Sequence, residues 1–302
     1  MTTGGPAPDR PPQPGPGPGA RPAGAAGPGQ GAAGPLAGRV ALVTGVSRRV
    51  GIGMAVARRR AGLGADLFVT SWTAHDREQP WGADPGGMDA VLAELATAAA
   101  SSAGSAGPVD RRVEHLAADF LDPDAPPQVM AAAVEAFGHV DVLVCNHARS
   151  SAGGLGELTA AELDASFAVN TRAVLLLVQA FAAQHDGRSG GRAVLFTSGQ
   201  HLGPMPGELA YATSKGALVE ITASLADTLA DRGITVNTVN PGPTDTAYVD
   251  QAMRQRVAGM FPAGRWGTPD DAARLVAWLC SDDAAWVTGQ VINSEGGFRR
   301  FR

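Results

Sequence analysis

The sequence predicts an α/β protein built on a parallel sheet with helices on both faces. Three observations carry that prediction. Short apolar runs with the pattern of buried strands alternate with helix-length segments from about residue 37 onward, the rhythm of parallel strands joined by crossover helices. The first run, VALVTG at 40–45, ends in a glycine-rich turn. The rhythm shows neither a break nor an internal repeat, so residues 37–302 are assigned to a single domain.

The segment before it, residues 1–36, is of a different kind. PPQPGPGPGARPAGAAGPGQGAAGP has almost nothing to bury and cannot offset its ordering entropy, so a disordered tail is expected. After VALVTG a helix follows over roughly 51–63, and ADLFVTS is the second strand. The polar stretch WTAHDREQPWGADPGG, residues 72–87, interrupts. An Ala-rich helix then runs over about 88–103, and RRVEHLAAD is the third strand. PDAPPQVMAAAVEAFG opens on proline and continues as a helix, and VDVLVCN is the fourth strand. A long helix is expected over 159–184, GRAVLFTS as the fifth strand, a helix over 208–232 and ITVNTVNPG as the sixth strand. Helical segments surround residue 252 and cover 269–281, and GQVINSEGG closes as a short strand.

Bulk properties narrow the partners. The net charge is −5, and no clustered basic face is expected apart from the terminal GGFRRFR, so a nucleic-acid partner is not expected. Cys145 and Cys280 sit in apolar runs and are expected as reduced, buried thiols. The longest apolar run, AVLLLVQAFAA from Ala173, is too short to span a bilayer, and no N-terminal segment resembles a secretory signal. These readings give a soluble cytoplasmic protein without a membrane partner, and no metal site is expected.

The turn TGVSRRVGIG, Thr44 to Gly53, lies between the first strand and the first helix. Glycines there let backbone approach a pyrophosphate at the positive helix N-terminus. The second strand ends in Thr70, Ser71 and Trp72, without the carboxylate that would grip the ribose hydroxyls of NAD. Arg48 and Arg49 in the turn suit a 2′-phosphate. This argues for NADP(H) over NAD(H), which remains the alternative cofactor.

Of the 24 basic residues, Lys215 is the one lysine, and it follows Tyr211 by four positions in YATSK. On a helix the two share a face. A nearby cation favours phenolate and is expected to lower the tyrosine pKa, so that Tyr211 exchanges a proton with a carbonyl oxygen. Arginine would supply charge but cannot relay a proton. Ser198 ends the fifth strand, placed to hydrogen-bond the same carbonyl. Asn170, on the long helix, offers an amide that could hold a water linking Lys215 to solvent.

Together these residues resemble the short-chain dehydrogenase/reductase family in its single-domain form. The TG…GIG turn, LAADF, VDVLVCNHA, AVN, TSG, YATSK, VNPGPTDT, GRWGTPDD and VTGQVINSEGG stand in family order over about residues 37–300. The resemblance implies a Rossmann-type, doubly wound, seven-stranded parallel sheet and NAD(P)-dependent carbonyl or alcohol chemistry. It marks Tyr211 as the acid/base, Lys215 as its partner and ribose ligand, Ser198 as the group orienting the carbonyl and Asn170 as the holder of a relay water. Cofactor contacts fall on Thr44, Gly45, Ser47, Arg48, Arg49, Gly51, Ile52, Gly53 and Ser71. Asp119 and Phe120 would flank the adenine, with Asn146 beside the cofactor. Pro241, Gly242 and Thr246 would position the nicotinamide, with Thr244 among the contacts. A homotetramer or dimer through the helices at 159–184 and 208–232 is the implied assembly. The subgroup resembles ketoacyl carrier-protein reductases, which suggests a 3-oxoacyl thioester or a similar ketone.

Three departures stand out. The family turn has three residues between TG and GIG; here VSRRV has five. The family's NNAG is CNHA, Cys145 to Ala148, and His147 is either a second titrating group or a packed neutral histidine. The stretch 72–87 is longer and more polar than a minimal member needs. The segment 247–266 is the expected substrate lid. Its Met253, Val257, Met260 and Phe261, with Arg254 and Arg256, suggest an apolar substrate with an anionic end. A non-catalytic NAD(P)-binding regulator is the competing reading. A sugar-nucleotide epimerase or dehydratase is disfavoured, because little sequence follows the last strand.

Overall fold

The structure is a computed structural model that describes residues 36–101 and 111–301. The expected disordered tail lies outside the described residues, except for Leu36. Seven parallel strands form one sheet: β1 (Val40–Val43), β2 (Asp66–Ser71), β3 (Val113–Ala117), β4 (Val142–Cys145), β5 (Gly191–Phe196), β6 (Ile234–Asn240) and β7 (Val291–Asn293). Their order is β3-β2-β1-β4-β5-β6-β7, so the doubly wound α/β fold expected from the sequence is observed. The chain runs outward from β1 to β3, then returns to place β4 on the other side of β1. That reversal opens a crevice at the carboxyl ends of β1 and β4, where sheets of this kind bind ligands. Val43 pairs with Val69 on β2 and Val144 on β4, so the segments leaving these three strands start at one level.

The central strands are apolar on both faces because both faces are covered. VALV, VLVC and GRAVLF are buried throughout. The helices are α1 (Ile52–Gly62), α2 (Thr73–Glu78), α3 (Gly87–Ser101), α4 (Ala125–Phe137), α5 (Ala160–Phe167), α6 (Ala173–Gln184), α7 (Leu209–Ala230), α8 (Gln251–Ala258) and α9 (Pro269–Leu279). One core joins α4, α6 and α7 to the sheet around Leu143, Leu177, Phe181 and Leu218. The other joins α1, α3 and α9 around Val43, Met54, Leu95 and Val276. Local chemistry sets the helix starts. Thr268 and Asp271 form a capping box at α9 with Pro269 in the first turn, and the Thr159 hydroxyl accepts from Glu162 N–H at α5.

Two elements differ from the sequence expectation. The polar stretch 72–87 contains α2. The helix expected over 159–184 is interrupted by a π-helical turn, Ala168–Arg172, between α5 and α6. Inside that turn Asn170 and Thr171 are buried and bond to neighbouring chain segments, the sort of demand that a π turn meets by re-aiming side chains. The whole run Ala160–Gln184 is apolar and long enough to cross a membrane by composition, yet 56% of its most apolar window is buried in this fold. It is a core helix of the sheet.

Candidate active site

The turn after β1 is shaped by close backbone contacts. Gly45 has φ +74°, and a Cβ there would lie 2.8 Å from His147 Cα; a Cβ on Gly53 would collide with the Gly45 carbonyl. Only glycine fits both positions. Gly51 caps α1 without a side-chain bond, and the first helical bond runs from Ala55 to Gly51. The N–H groups of Ile52, Gly53 and Met54 therefore precede the hydrogen-bond ladder and face the crevice end of the helix. That uncapped N-terminus fits the pyrophosphate of a dinucleotide. Ser47 and Arg48 stand partly exposed on the turn, their side chains without a hydrogen bond among the described residues.

Asn146 fastens the turn to the end of β4. Its amide donates to the carbonyls of Thr44 and Gly45, each at 3.0 Å. Thr44 is fully buried, its hydroxyl 2.6 Å from His147 Nδ1 and accepting from the Asn146 N–H at 3.1 Å. Thr44 thus shapes the turn and presents no hydroxyl to a ligand. His147 Nε2 faces the Val169 carbonyl at 3.1 Å, an acceptor only, so Nε2 carries the proton and Nδ1 accepts from Thr44. Burial, with Lys215 adding repulsion, pulls the His147 pKa down to about 3. Of the two readings open for His147, the packed neutral histidine is the one observed.

Ser198, Tyr211 and Lys215 meet at the carboxyl end of β5. Ser198 begins the 3-10 turn Gly199–His201 with its hydroxyl unused for capping. Tyr211 and Lys215 lie one turn apart on α7. Lys215 is 2% exposed, and its Nζ donates to the Phe196 carbonyl at 2.8 Å. Burial lowers the Lys215 pKa to about 8. The expectation for Tyr211 is corrected here. Burial pushes the phenol up to about 12, and the group drawing it down is the Ser198 hydroxyl. Lys215 does not lower it, because its Nζ points to Phe196, 6.0 Å from the centre of the Tyr211 ring.

Asn170 is fully buried, not on the helix surface. Its carbonyl accepts from Arg149 N–H at 2.7 Å, and its amide donates to the Arg149 carbonyl and to Ser214 Oγ, both at 2.9 Å. Both amide protons are spent, so the side chain ties the segment after β4 to α7; what remains for a water is acceptor capacity on Oδ1.

A pocket past the carboxyl ends of β2, β3 and β4 is lined by Trp72, His75, Ala118, Asp119, Phe120 and His147. Phe120 packs on the His147 ring at 4.1 Å. Asp119 Oδ1 accepts from Leu121 N–H at 2.9 Å. Ser71 is buried with its hydroxyl 2.8 Å from His115 Nε2, so it turns away from a ribose. Arg49 is bound to Asp84: the Nη2–Oδ1 distance is 2.9 Å.

After β6, Gly242 N–H donates to Asn240 Oδ1 at 3.0 Å, and Thr244 is buried with its hydroxyl 3.2 Å from the Gly242 carbonyl. Pro241 and Thr246 stand partly exposed beside them. Helix α8 of the expected lid has no buried residue. Arg254 is engaged by Asp245 at 3.0 Å and Arg265 by Asp271 at 2.7 Å, so of the three lid arginines Arg256 is the one without an ion-pair partner among the described residues. Trp266 Nε1 donates to the Arg254 carbonyl at 2.8 Å, and aromatic edges add to the lid's contacts: Tyr248 sits 6.3 Å from Trp81 and 6.1 Å from Trp266, both near-perpendicular. Arg300 pairs with Glu295 and packs on Gly199, beside Ser198, while Phe298 meets Phe261 at 5.0 Å. Sequence reasoning missed Trp81, Asp84, Glu295 and Arg300. The unusual length of the 72–87 stretch was the signal for the first two; no local motif marks the others.

Comparison with known proteins agrees with this geometry. A family model described as enoyl-(acyl carrier protein) reductase matches residues 45–299. An uncharacterized oxidoreductase of Bacillus subtilis is 39% identical over 264 residues, covering 87% of this chain and 97% of its own. Versicolorin reductase 1 of Aspergillus parasiticus is 32% identical over 278 residues, covering 87% and 97%. A short-chain dehydrogenase from Burkholderia cenocepacia, solved in complex with NADP, superposes with a TM-score of 0.74 at 36% identity, covering 87% of this chain and 98% of that one. The chain belongs to the short-chain dehydrogenase/reductase family.

Proposed function

We propose that this protein is an NADP(H)-dependent oxidoreductase that interconverts a ketone and a secondary alcohol. One observation carries the reading: Ser198 leaves the carboxyl end of β5, and Tyr211 and Lys215 stand one helical turn apart on α7, with Lys215 buried and bonded to Phe196, the last residue of β5. The nicotinamide, when bound, supplies the hydride in reduction and accepts it in oxidation. Ser198 hydrogen-bonds the carbonyl oxygen and orients it. Tyr211 gives that oxygen its proton; burial keeps the phenol protonated at neutral pH, the form that donates. Lys215 uses one N–H on Phe196 and keeps two for the ribose and for a proton path past Asn170.

NADP(H) is favoured by Arg48 on the turn, which has no ion-pair partner among the described residues, and by the lack of a carboxylate at the end of β2. The NADP complex of the Burkholderia relative supports the same choice. Met260 and Phe261 on the lid, with Arg256 free of ion pairs among the described residues, suit an apolar ketone with an anionic end, such as a 3-oxoacyl thioester; the versicolorin reductase relative adds versicolorin-like compounds to the candidates. Leu163 and Phe167 stand exposed on α5, apolar positions that a homodimer or homotetramer would cover.

Titration with NADPH and NADH, followed by a carbonyl panel, tests the reading. NADPH-dependent reduction of a ketone that falls at least about 100-fold in Tyr211→Phe is expected. Binding of neither dinucleotide, or turnover that survives Tyr211→Phe, would overturn it.

A further inference from the structure

Two departures noted in the sequence meet in the fold. The turn after β1 is two residues longer than usual, and the stretch after β2 is long and polar. Asp84, from that stretch, reaches the enlarged turn and grips Arg49. One carboxylate oxygen accepts the Arg49 backbone N–H at 2.9 Å. The two oxygens share Nε at 3.0 and 3.1 Å, and Oδ1 takes Nη2 at 2.9 Å. The Gly86 N–H adds a further bond at 3.0 Å. Asp84 is 8% exposed. Burial pushes its carboxyl up, but the bonds from Arg49 and Gly86 outweigh that and hold it at about 2, so the pair is ionised at neutral pH.

The location gives this pair a function. Val46 N–H donates to the Thr70 carbonyl at 2.7 Å, so the turn lies against the end of β2, where the adenosine ribose of a dinucleotide in this crevice would rest. No carboxylate ends β2, and the Ser71 hydroxyl is turned to His115. Discrimination between a ribose hydroxyl and a 2′-phosphate therefore falls on the charges of the turn. We propose that Asp84 is a cofactor-discriminating residue: it neutralises and holds Arg49, withholds that guanidinium from a 2′-phosphate, and leaves Arg48 as the uncompensated cation that sets a moderate preference for NADP(H). The inference rests on the dinucleotide-binding reading above. A carboxylate and a phosphate compete for the same guanidinium, and a buried carboxylate near a phosphate also repels it.

The test is calorimetric binding of NADPH and NADH to full-length wild type, Asp84→Asn, Arg49→Gln and the double variant, with a melting curve for each. Asp84→Asn is expected to raise the preference for NADPH about fivefold to tenfold, the scale of one charge removed at roughly 10 Å. Arg49→Gln alone leaves the Asp84 carboxylate unpaired and should lower the preference by a similar factor, and the double variant, with neither charge, should return close to wild type. An unmoved preference in Asp84→Asn, with both cofactors bound, overturns the inference. So does a parallel fall in both affinities, which marks a purely structural clamp. A fall in NADPH preference in Asp84→Asn also overturns it, because Asp84 would then be presenting Arg49 as a ligand. The double variant has no unpaired charge at the clamp, so a folding defect in Asp84→Asn is recognised by its recovery there. Wild type that binds neither dinucleotide would sink the underlying reading instead, a different result from bound cofactors with an unmoved ratio.

Discussion

Lys215 donates to the carbonyl of Phe196 at 2.8 Å, which ties the single lysine of the chain to the last residue of β5. The side chain is 2% exposed, so the pocket around it is cut to a slender stem and a compact ammonium. A guanidinium is wider, planar and unable to give up a proton at working pH. Lys215→Arg is therefore expected to keep less than about a tenth of the carbonyl-reducing rate although the charge is preserved. Steady-state kinetics with NADPH decides the point: a variant with more than half the rate would show that charge alone is what position 215 supplies.

His147 makes acid the weak side of this fold. Burial holds its folded pKa at about 3, against roughly 6.5 in the unfolded chain. Between those values the unfolded state binds the proton and the native state does not, so stability falls as pH drops below about 6.5 and the loss is complete near pH 3. From pH 7 to pH 5 the expected cost from this residue is about 2 kcal/mol. In His147→Gln, which keeps a donor and an acceptor for Val169 and Thr44, urea midpoints at the two pH values should differ by correspondingly less than in wild type. Equal pH sensitivity in the two proteins would show that His147 titrates normally.

What was legible in the sequence is local. The alternation of strands and helices, the Gly45–Gly53 turn and the four-residue spacing of Tyr211 and Lys215 are all written within short windows, and each has a backbone consequence that the structure repeats. What was not legible depends on paths taken by loops. Arg49 looked like a free phosphate ligand because nothing nearby in sequence claims it; Asp84 is 35 residues away. Ser71 looked like a ribose ligand, but the pairing of Val69 with His115 on β3 brings that imidazole beside the Ser71 hydroxyl. The shift of Tyr211 went the other way from the simple charge argument, because burial outweighs every other influence on the phenol and the fold turns the lysine aside.

Trp81 connects the long stretch after β2 to the lid. Its ring meets Tyr248 edge-on at 6.3 Å, and Tyr248 meets the buried Trp266 at 6.1 Å. Helix α8 buries nothing of its own, so these edges add to the few anchors of the lid, which include the Trp266 Nε1 bond to the Arg254 carbonyl at 2.8 Å and the Arg254–Asp245 pair. Such a pair is worth about 0.5–1.5 kcal/mol, which translates into a roughly 2- to 12-fold rise in KM for the carbonyl in Trp81→Ala. The affinity for NADPH, measured by titration, should stay within about twofold because Asp84 and its grip on Arg49 are untouched. A rise in cofactor Kd that tracks the rise in KM would mean that Trp81 acts through the glycine turn and not through the lid.

Arg60 lies in the last turn of α1, is fully buried, and has no hydrogen-bond partner for Nε, Nη1 or Nη2 among the described residues. Burial lowers its pKa, Arg39 adds repulsion, and Asp141 offsets part of the cost. The position at a helix C-terminus favours a cation by about 0.3–1 kcal/mol, less than the several kcal/mol that an uncompensated buried charge costs. A guanidinium cannot escape by losing its proton. Methionine has similar length, packs adaptably and carries no charge, so Arg60→Met is expected to stabilise the fold by about 1–3 kcal/mol. Urea unfolding at neutral pH measures it directly. A lower midpoint in the variant would reveal that the guanidinium has a counter-charge in solution and contributes to stability through it.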